Sequence, residues 1–147
     1  MLRDHTPINR ATLLGRIREK RGPIAADTAR NMLDFANTIG CQEVPGHSSI
    51  SIRLNRPEQL GLLTLYLISE SGTFFVGWLE RWADAGADPS LAVAYETNLK
   101  NILGVDRLVY PPTWHTKAVP LELIAAHDDE IRAAIRTTAR ELRRQVL

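Results

Sequence analysis

The chain has one cysteine, three lysines and no apolar run approaching the length of a membrane span, and each shortage excludes something. With Cys41 alone, no internal disulfide can form. Its position after Ile39 and Gly40 suits a small, buried apolar side chain, and the sequence offers no neighbouring base to make it a nucleophile. The longest apolar stretch falls far short of ~18 residues, and the opening MLRDHTPINR lacks the apolar core of a secretion signal. The expected location is cytoplasmic, with no membrane partner. Neither a Gly-x-x-x-x-Gly-Lys loop nor a Gly-x-Gly-x-x-Gly turn occurs, so nucleotide binding has no motif behind it. A Gly-x-Ser-x-Gly elbow is also missing. His47-Ser48-Ser49 has the residue types of acyl transfer, but adjacent side chains on an extended strand point to opposite faces. His5, His47, His115 and His127 show no metal-ligand spacing, and Asp128 and Asp129 after His127 read as the start of a helix. No catalytic residue, metal or cofactor is expected, and an enzyme is the less favoured reading.

A chain of 147 residues has the size of one domain and buries enough surface to fold without disulfide or metal. Arginine outnumbers lysine fifteen to three, and the net charge of +1 conceals a strong asymmetry. Residues 1–33 carry a net +4 and residues 131–147 another +4, while residues 34–130 carry −7. If both ends fold onto one face, the molecule has a marked electrostatic dipole.

The middle of the sequence predicts strands. Ile50, Ile52 and Leu54 alternate with Ser49, Ser51 and Arg53, giving a half-buried strand. Leu63, Leu65 and Leu67 alternate with Thr64, Tyr66 and Ile68, as in a central strand. Glu70-Ser71-Gly72-Thr73 is hairpin chemistry. The next strand places Phe74, Val76 and Trp78 on one face, and short links favour a meander. Helical spacing surrounds these strands. Leu13, Leu14 and Ile17 lie in a helix stopped by Gly22-Pro23, which makes residues 1–22 a candidate N-terminal arm. A second helix runs from about Ala25 to Ile39, with Gly40 as its left-handed cap. Asp88-Pro89 starts a third, carrying Leu91, Tyr95, Leu99 and Ile102 inward and ending at Gly104. A short edge strand is expected near Ala118–Leu121. Asp128 opens a last helix with Ile131, Ile135, Leu142 and Val146 buried. The fold class is therefore α+β in two layers, a three- to four-stranded, mainly antiparallel sheet with helices on one face.

From Ala26 to Arg144 this pattern resembles a small domain of unassigned activity found in bacterial proteins. The matching residues are Asp34-Phe35-Ala36 with Gly40, Ser49-Ile50, Leu65-Tyr66-Leu67, Gly72 to Trp78, and Val119-Pro120-Leu121. The resemblance implies a fold and no mechanism. The order α-β-β-β-α-β is also that of the PD-(D/E)XK nuclease core. Such enzymes need an acidic residue on one strand and Glu-x-Lys on the next. Here the third strand, Thr-Phe-Phe-Val-Gly-Trp-Leu, carries neither, which leaves at most an inactive relative.

Two basic clusters are the main functional candidates. Arg132, Arg136, Arg140 and Arg144 recur every four residues, with Arg143 beside them, and so lie along one helix face able to track phosphates. Arg16, Arg18, Lys20 and Arg21 crowd the end of the first helix. The plainer reading of both is a solvated helix face, and no zinc-finger or RRM signature accompanies them. The first expectation is a non-catalytic accessory module that binds DNA or RNA through these residues. The alternative is a protein-interaction or oligomerisation module using the aromatic and proline-rich loop, with Tyr110, Trp114 and His115 against the partner.

Overall fold

The computed structural model describes residues 6–105, 109–110 and 119–146. It is an α+β fold with helices packed on a mainly antiparallel sheet. Helix α1 (Arg10–Arg21) is capped by the Asn9 side chain, which accepts from the Thr12 amide, and α2 (Pro23–Thr38) follows Gly22. Strand β1 (Cys41–Pro45) adds a further antiparallel strand beside β2 (Ser49–Leu54). Strands β2, β3 (Thr64–Ser69) and β4 (Thr73–Gly77) form the expected antiparallel meander, with a 3₁₀ turn (Pro57–Leu62) between β2 and β3. A short α3 (Arg81–Asp84) precedes α4 (Pro89–Leu103), whose Asp88 cap and proline start match the sequence reading. Two dipeptide strands, β5 (Val109–Tyr110) and β6 (Val119–Pro120), share the far edge of β4. The first runs parallel to Val76-Gly77 and the second antiparallel to Thr73-Phe74. Helices α5 (Leu121–Ala126) and α6 (Asp128–Gln145) complete the fold.

The sheet buries the face that carries Ile50, Ile52, Leu54, Tyr66, Ile68, Phe74 and Val76, and one hydrophobic cluster joins it to all six helices. Leu13 and Ile17 of α1 are fully buried in that cluster, so α1 packs as core rather than standing off as an arm. Strand β1 is not evident in the sequence. Its only apolar side chains besides proline are Cys41 and Val44, and it exists because Cys41 through Pro45 pair with Leu54 through Ile50. Strand β4 ends at Gly77, two residues earlier than the Thr73–Leu79 pattern suggests. Trp78 has φ 55°, which lifts the chain out of the sheet toward α3 instead of placing the indole in line with Phe74 and Val76.

Strand β3 organises the helical layer. Its register with β2 skips Leu65, since Ile52 pairs with Tyr66 and Arg53 with Thr64. Its pairing with β4 is confined to Leu67↔Phe75 and Ile68↔Phe74. A bulge leaves its extra residue out of the ladder, and a buried carbonyl without a partner is costly. Two aromatic donors take these carbonyls: Trp82 Nε1 bonds Thr64 O at 3.0 Å and the Tyr95 hydroxyl bonds Leu65 O at 2.9 Å. From β3 itself the Tyr66 hydroxyl donates to Met32 O of α2 at 2.6 Å. Trp82 stacks on Tyr95 at 5.4 Å and Tyr66 on Phe74 at 5.5 Å. Burial raises both tyrosine pKa values well above normal, so both remain donors.

Removing one hydroxyl leaves a buried carbonyl without its donor, at about 1–3 kcal/mol. Tyr95→Phe is therefore expected to lower the urea midpoint by that equivalent with the slope unchanged. An unaltered midpoint would show that the Leu65 carbonyl does not depend on Tyr95.

Candidate nucleic-acid interface

The helix α6 arises from a strong amphipathic pattern. Ile131, Ala134, Ile135, Thr138, Ala139 and Leu142 face the core, and the arginines are left on the other side. Asp128, Asp129 and Glu130 occupy its first turn, with Arg143 and Arg144 in its last, as the helix dipole favours. The arginines expected to act together are not equivalent, because the fold gives most of them other work.

Arg143 reaches back to the end of α2. One of its terminal nitrogens donates to Ile39 O at 2.9 Å, a carbonyl at the end of α2, and to Gly40 O at 3.1 Å, which also accepts from the Asn55 amide. A Cβ at Gly40, whose φ is 71°, would meet the Arg143 guanidinium where it now lies. Arg144 is tied to Glu141, and Arg132 forms a two-point pair with Asp128, both contacts at 3.0 Å. The cluster on α1 is similarly engaged. Arg16 pairs with Glu70, and Arg21 with Glu122 at 3.1 Å, while Arg18 lies 3.9 Å from Asp27. The Arg21 stem also crosses Gly72, whose φ of 83° turns the β3–β4 hairpin. These residues fasten α1 to the hairpin and to α5. Further along α1, Arg10 bonds Asp34 of α2 and Glu43 of β1. Burial works against its charge, yet the bonds to Asp34 and Glu43 hold its pKa above the usual value.

Four of the nine basic candidates have no carboxylate partner among the described residues: Arg143, which bonds backbone carbonyls instead, and Lys20, Arg136 and Arg140, which are exposed. Arg136 is nevertheless positioned. Its guanidinium stands 5.4 Å from the centre of the Phe35 ring, and that of Arg132 stands 5.7 Å from the same ring. Phe35 itself is buried, so it serves as a platform beneath the arginines and not as a surface for stacking bases. Asn31, Asp34 and Thr38 complete a shallow concavity of about 320 Å³ around the pair. One turn further, Arg140 borders a groove between α6 and α4 lined by Leu91, Ala94, Asn98 and Thr137. Helix α2 packs against α1 and carries Phe35 beneath the α6 arginines.

Two arginines not singled out from the sequence belong in this account. Arg53 lies half-buried on the reverse face of the sheet, its Nε bonded to Ser51 Oγ at 3.1 Å. Burial, and then the charge of Arg81, lower its pKa. Arg81 rests 5.6 Å over the Trp78 ring, and no carboxylate among the described residues pairs with either arginine. Their proximity depends on the turn at Trp78, which no local pattern announces. Tyr110 lies in β5 by its backbone, and Trp114 and His115 fall outside the described residues.

No three His, Cys, Asp or Glu side chains among the described residues are grouped to hold a metal ion. No described helix is long and apolar enough to cross a membrane. Cys41 is buried, and that burial, opposed by Arg143, pushes its thiol up to about 12. At about pH 8, where an ordinary thiol begins to ionise, native Cys41 is expected to resist Ellman's reagent and to react at the rate of unfolding. Prompt modification of the folded protein would mean that the thiol is accessible and ionised.

Comparison of the chain with family models, with curated proteins and with solved structures gives no significant match, so any functional reading rests on the side-chain geometry described above.

Proposed function

We propose that the protein is a non-catalytic module that binds nucleic acid along the exposed face of α6. The observation that carries this reading is the state of Arg136 and Arg140: both are exposed and both lack a carboxylate partner among the described residues. Arg136 is also held in place over Phe35. Four-residue spacing on a helix advances each arginine by about 6 Å. Arg132, Arg136 and Arg140 thus present positive charge along roughly 12 Å of one face. Guanidinium groups suit phosphate through their planar array of donors. The Thr38 and Asn31 side chains beside Arg136 add uncharged polar groups that phosphate contacts commonly recruit.

The fold narrows the contact set. Arg143 and Arg21 hold backbone and hairpin, and Arg16 and Arg144 are committed to glutamates, so these four contribute field more than contact. Arg132 is shared between Asp128 and any phosphate. With few free cations and no base-reading element, the proposed binding is modest in affinity, indifferent to sequence and strongly dependent on salt.

Fluorescence anisotropy with labelled single- and double-stranded DNA and RNA, over a series of salt concentrations, tests the proposal. Each phosphate-contacting arginine contributes about 0.9 to the log–log salt slope on duplex DNA. The double substitution Arg136→Ala with Arg140→Ala should therefore flatten the slope by about 2 and weaken binding at low salt. It should leave the thermal midpoint unchanged. A double variant that binds like the parent protein would sink the reading, as would absence of binding at low salt. Arg143→Ala is expected to behave in the opposite way, losing about 1 kcal/mol of stability through the open end of α2 while keeping the salt slope.

A further inference from the structure

The acidic half of the molecule has its own concave surface. Between α3 and α4 lies a cleft of about 400 Å³ lined by Leu79, Trp82, Ala83, Pro89, Ala92 and Val93. Three carboxylates border it: Glu80, Asp88 and Glu96. Glu80 is exposed and has no cationic partner among the described residues. Asp88 accepts from the Ser90 amide at 2.9 Å, a bond that keeps its pKa below normal and its charge in place. Glu96 has only Lys100, at 3.8 Å. The other basic residue of this segment, Arg81, is turned onto Trp78. Residues 80–96 carry four acids and one base, a net of −3.

The apolar part of this surface does not end at the cleft. Val93 is 65% exposed, one of two large hydrophobic side chains left open to solvent among the described residues. It is shared between the cleft and a second shallow concavity along the outer face of α4, lined by Ser90, Ala94, Thr97, Asn98 and Asn101. No charged side chain occurs on that strip, which runs for three helical turns, about 16 Å. An uncharged helix face leading into an apolar cleft with a carboxylate rim has the layout of a groove that receives a basic, amphipathic helix.

We propose that the α3–α4 cleft, with the outer face of α4, docks an amphipathic helical segment of a partner protein. An aliphatic side chain of that segment enters beside Val93, and its lysines or arginines meet Glu80, Asp88 and Glu96. Charge complementarity selects this occupant, since an acidic segment would face three carboxylates with no cation to receive it. The protein's own basic helices cannot supply it from a second copy. The apolar faces of α1 and α6 are spent in the core, with Leu13, Ile17, Ile131 and Ile135 fully buried.

The test is a titration of ¹⁵N-labelled protein with a leucine–lysine peptide patterned as an amphipathic helix of about four turns (~14 residues). The leucine–glutamate peptide of the same pattern is the control. The expected result is saturable shifts concentrated at Glu80 through Ala83 and Ala92 through Glu96, with little response from the control. Val93→Asp should weaken the lysine peptide on the order of tenfold, a loss typical of an interface anchor. It should leave the thermal midpoint unaltered, since the site is exposed. Glu80→Gln with Glu96→Gln should weaken it several-fold and reduce its salt dependence. Equal binding of the two peptides, shifts centred elsewhere, or undiminished binding by Val93→Asp would each overturn the proposal. So would self-association through this face in the absence of peptide. The nucleic-acid reading uses α6 and stands or falls separately.

Discussion

The architecture depends on how strand β3 disposes of its backbone carbonyls. A regular central strand would satisfy them through its two neighbours. Here the register skips Leu65 on one side, and the β4 ladder stops short on the other, so Thr64 and Leu65 need donors from the helical layer. Trp82 and Tyr95 provide them, and each arrives on its own helix. Tyr66 reverses the direction, sending a hydroxyl from the strand to α2. Three helices are thereby set at fixed heights on one strand by bonds that tolerate little displacement, because each is buried and short. Hydrophobic burial alone would hold the same layers together with far less positional selectivity.

The surface follows from that arrangement. Tyr95 ties α4 to the sheet, α6 packs its apolar stripe against α4, and Arg132 and Arg136 stand over Phe35. Once Trp82 fixes α3, the turn that delivers it, with Trp78 at positive φ, opens a cleft against α4. Neither the basic strip nor the acidic cleft is a graft on a finished scaffold. Both are by-products of where three aromatic donors had to be. Energetically the ion pairs rank below this frame, since exposed pairs such as Arg18–Asp27 contribute roughly 0–1 kcal/mol each.

Much of the fold is legible in the chain because its signals are local. Asn9, Asp88-Pro89, Gly40 and Gly104 mark helix ends through conformational preferences that need no tertiary partner, and the alternation from Ser49 to Leu54 marks a half-buried strand. Strand β1 is invisible because its side chains do not alternate; pairing with β2 alone makes it a strand. The bulge at Leu65 looks like uninterrupted alternation until the partner strand is known. Charge is the least legible property. A count along the chain sees Arg16, Arg21 and Arg143 as members of free clusters. In space they meet Glu70, Glu122 and the end of α2, which lie 54, 101 and more than 100 residues away. Spacing identifies which arginines share a helix face. It says nothing of which have already been neutralised.

The segregation that survives this pairing still has a physical consequence. Of the arginines without a carboxylate partner, Arg140 borders the flank of α4 where α6 packs, while Glu80, Asp88 and Glu96 rim the flank where α3 packs. The uncharged outer face of α4 lies between them. A helix with its side chains is about 10–12 Å across, whereas the screening length at physiological ionic strength is about 8 Å. Two surfaces of opposite sign separated by that width are largely screened from each other, though they belong to one small molecule. On the proposed reading, a phosphate backbone on α6 would gain little repulsion from Glu80 and Glu96, and a basic segment in the cleft would gain little from Arg136 and Arg140. Brought closer than that length, the two fields would partly cancel. On the two proposed readings, that separation would let both surfaces be used at once.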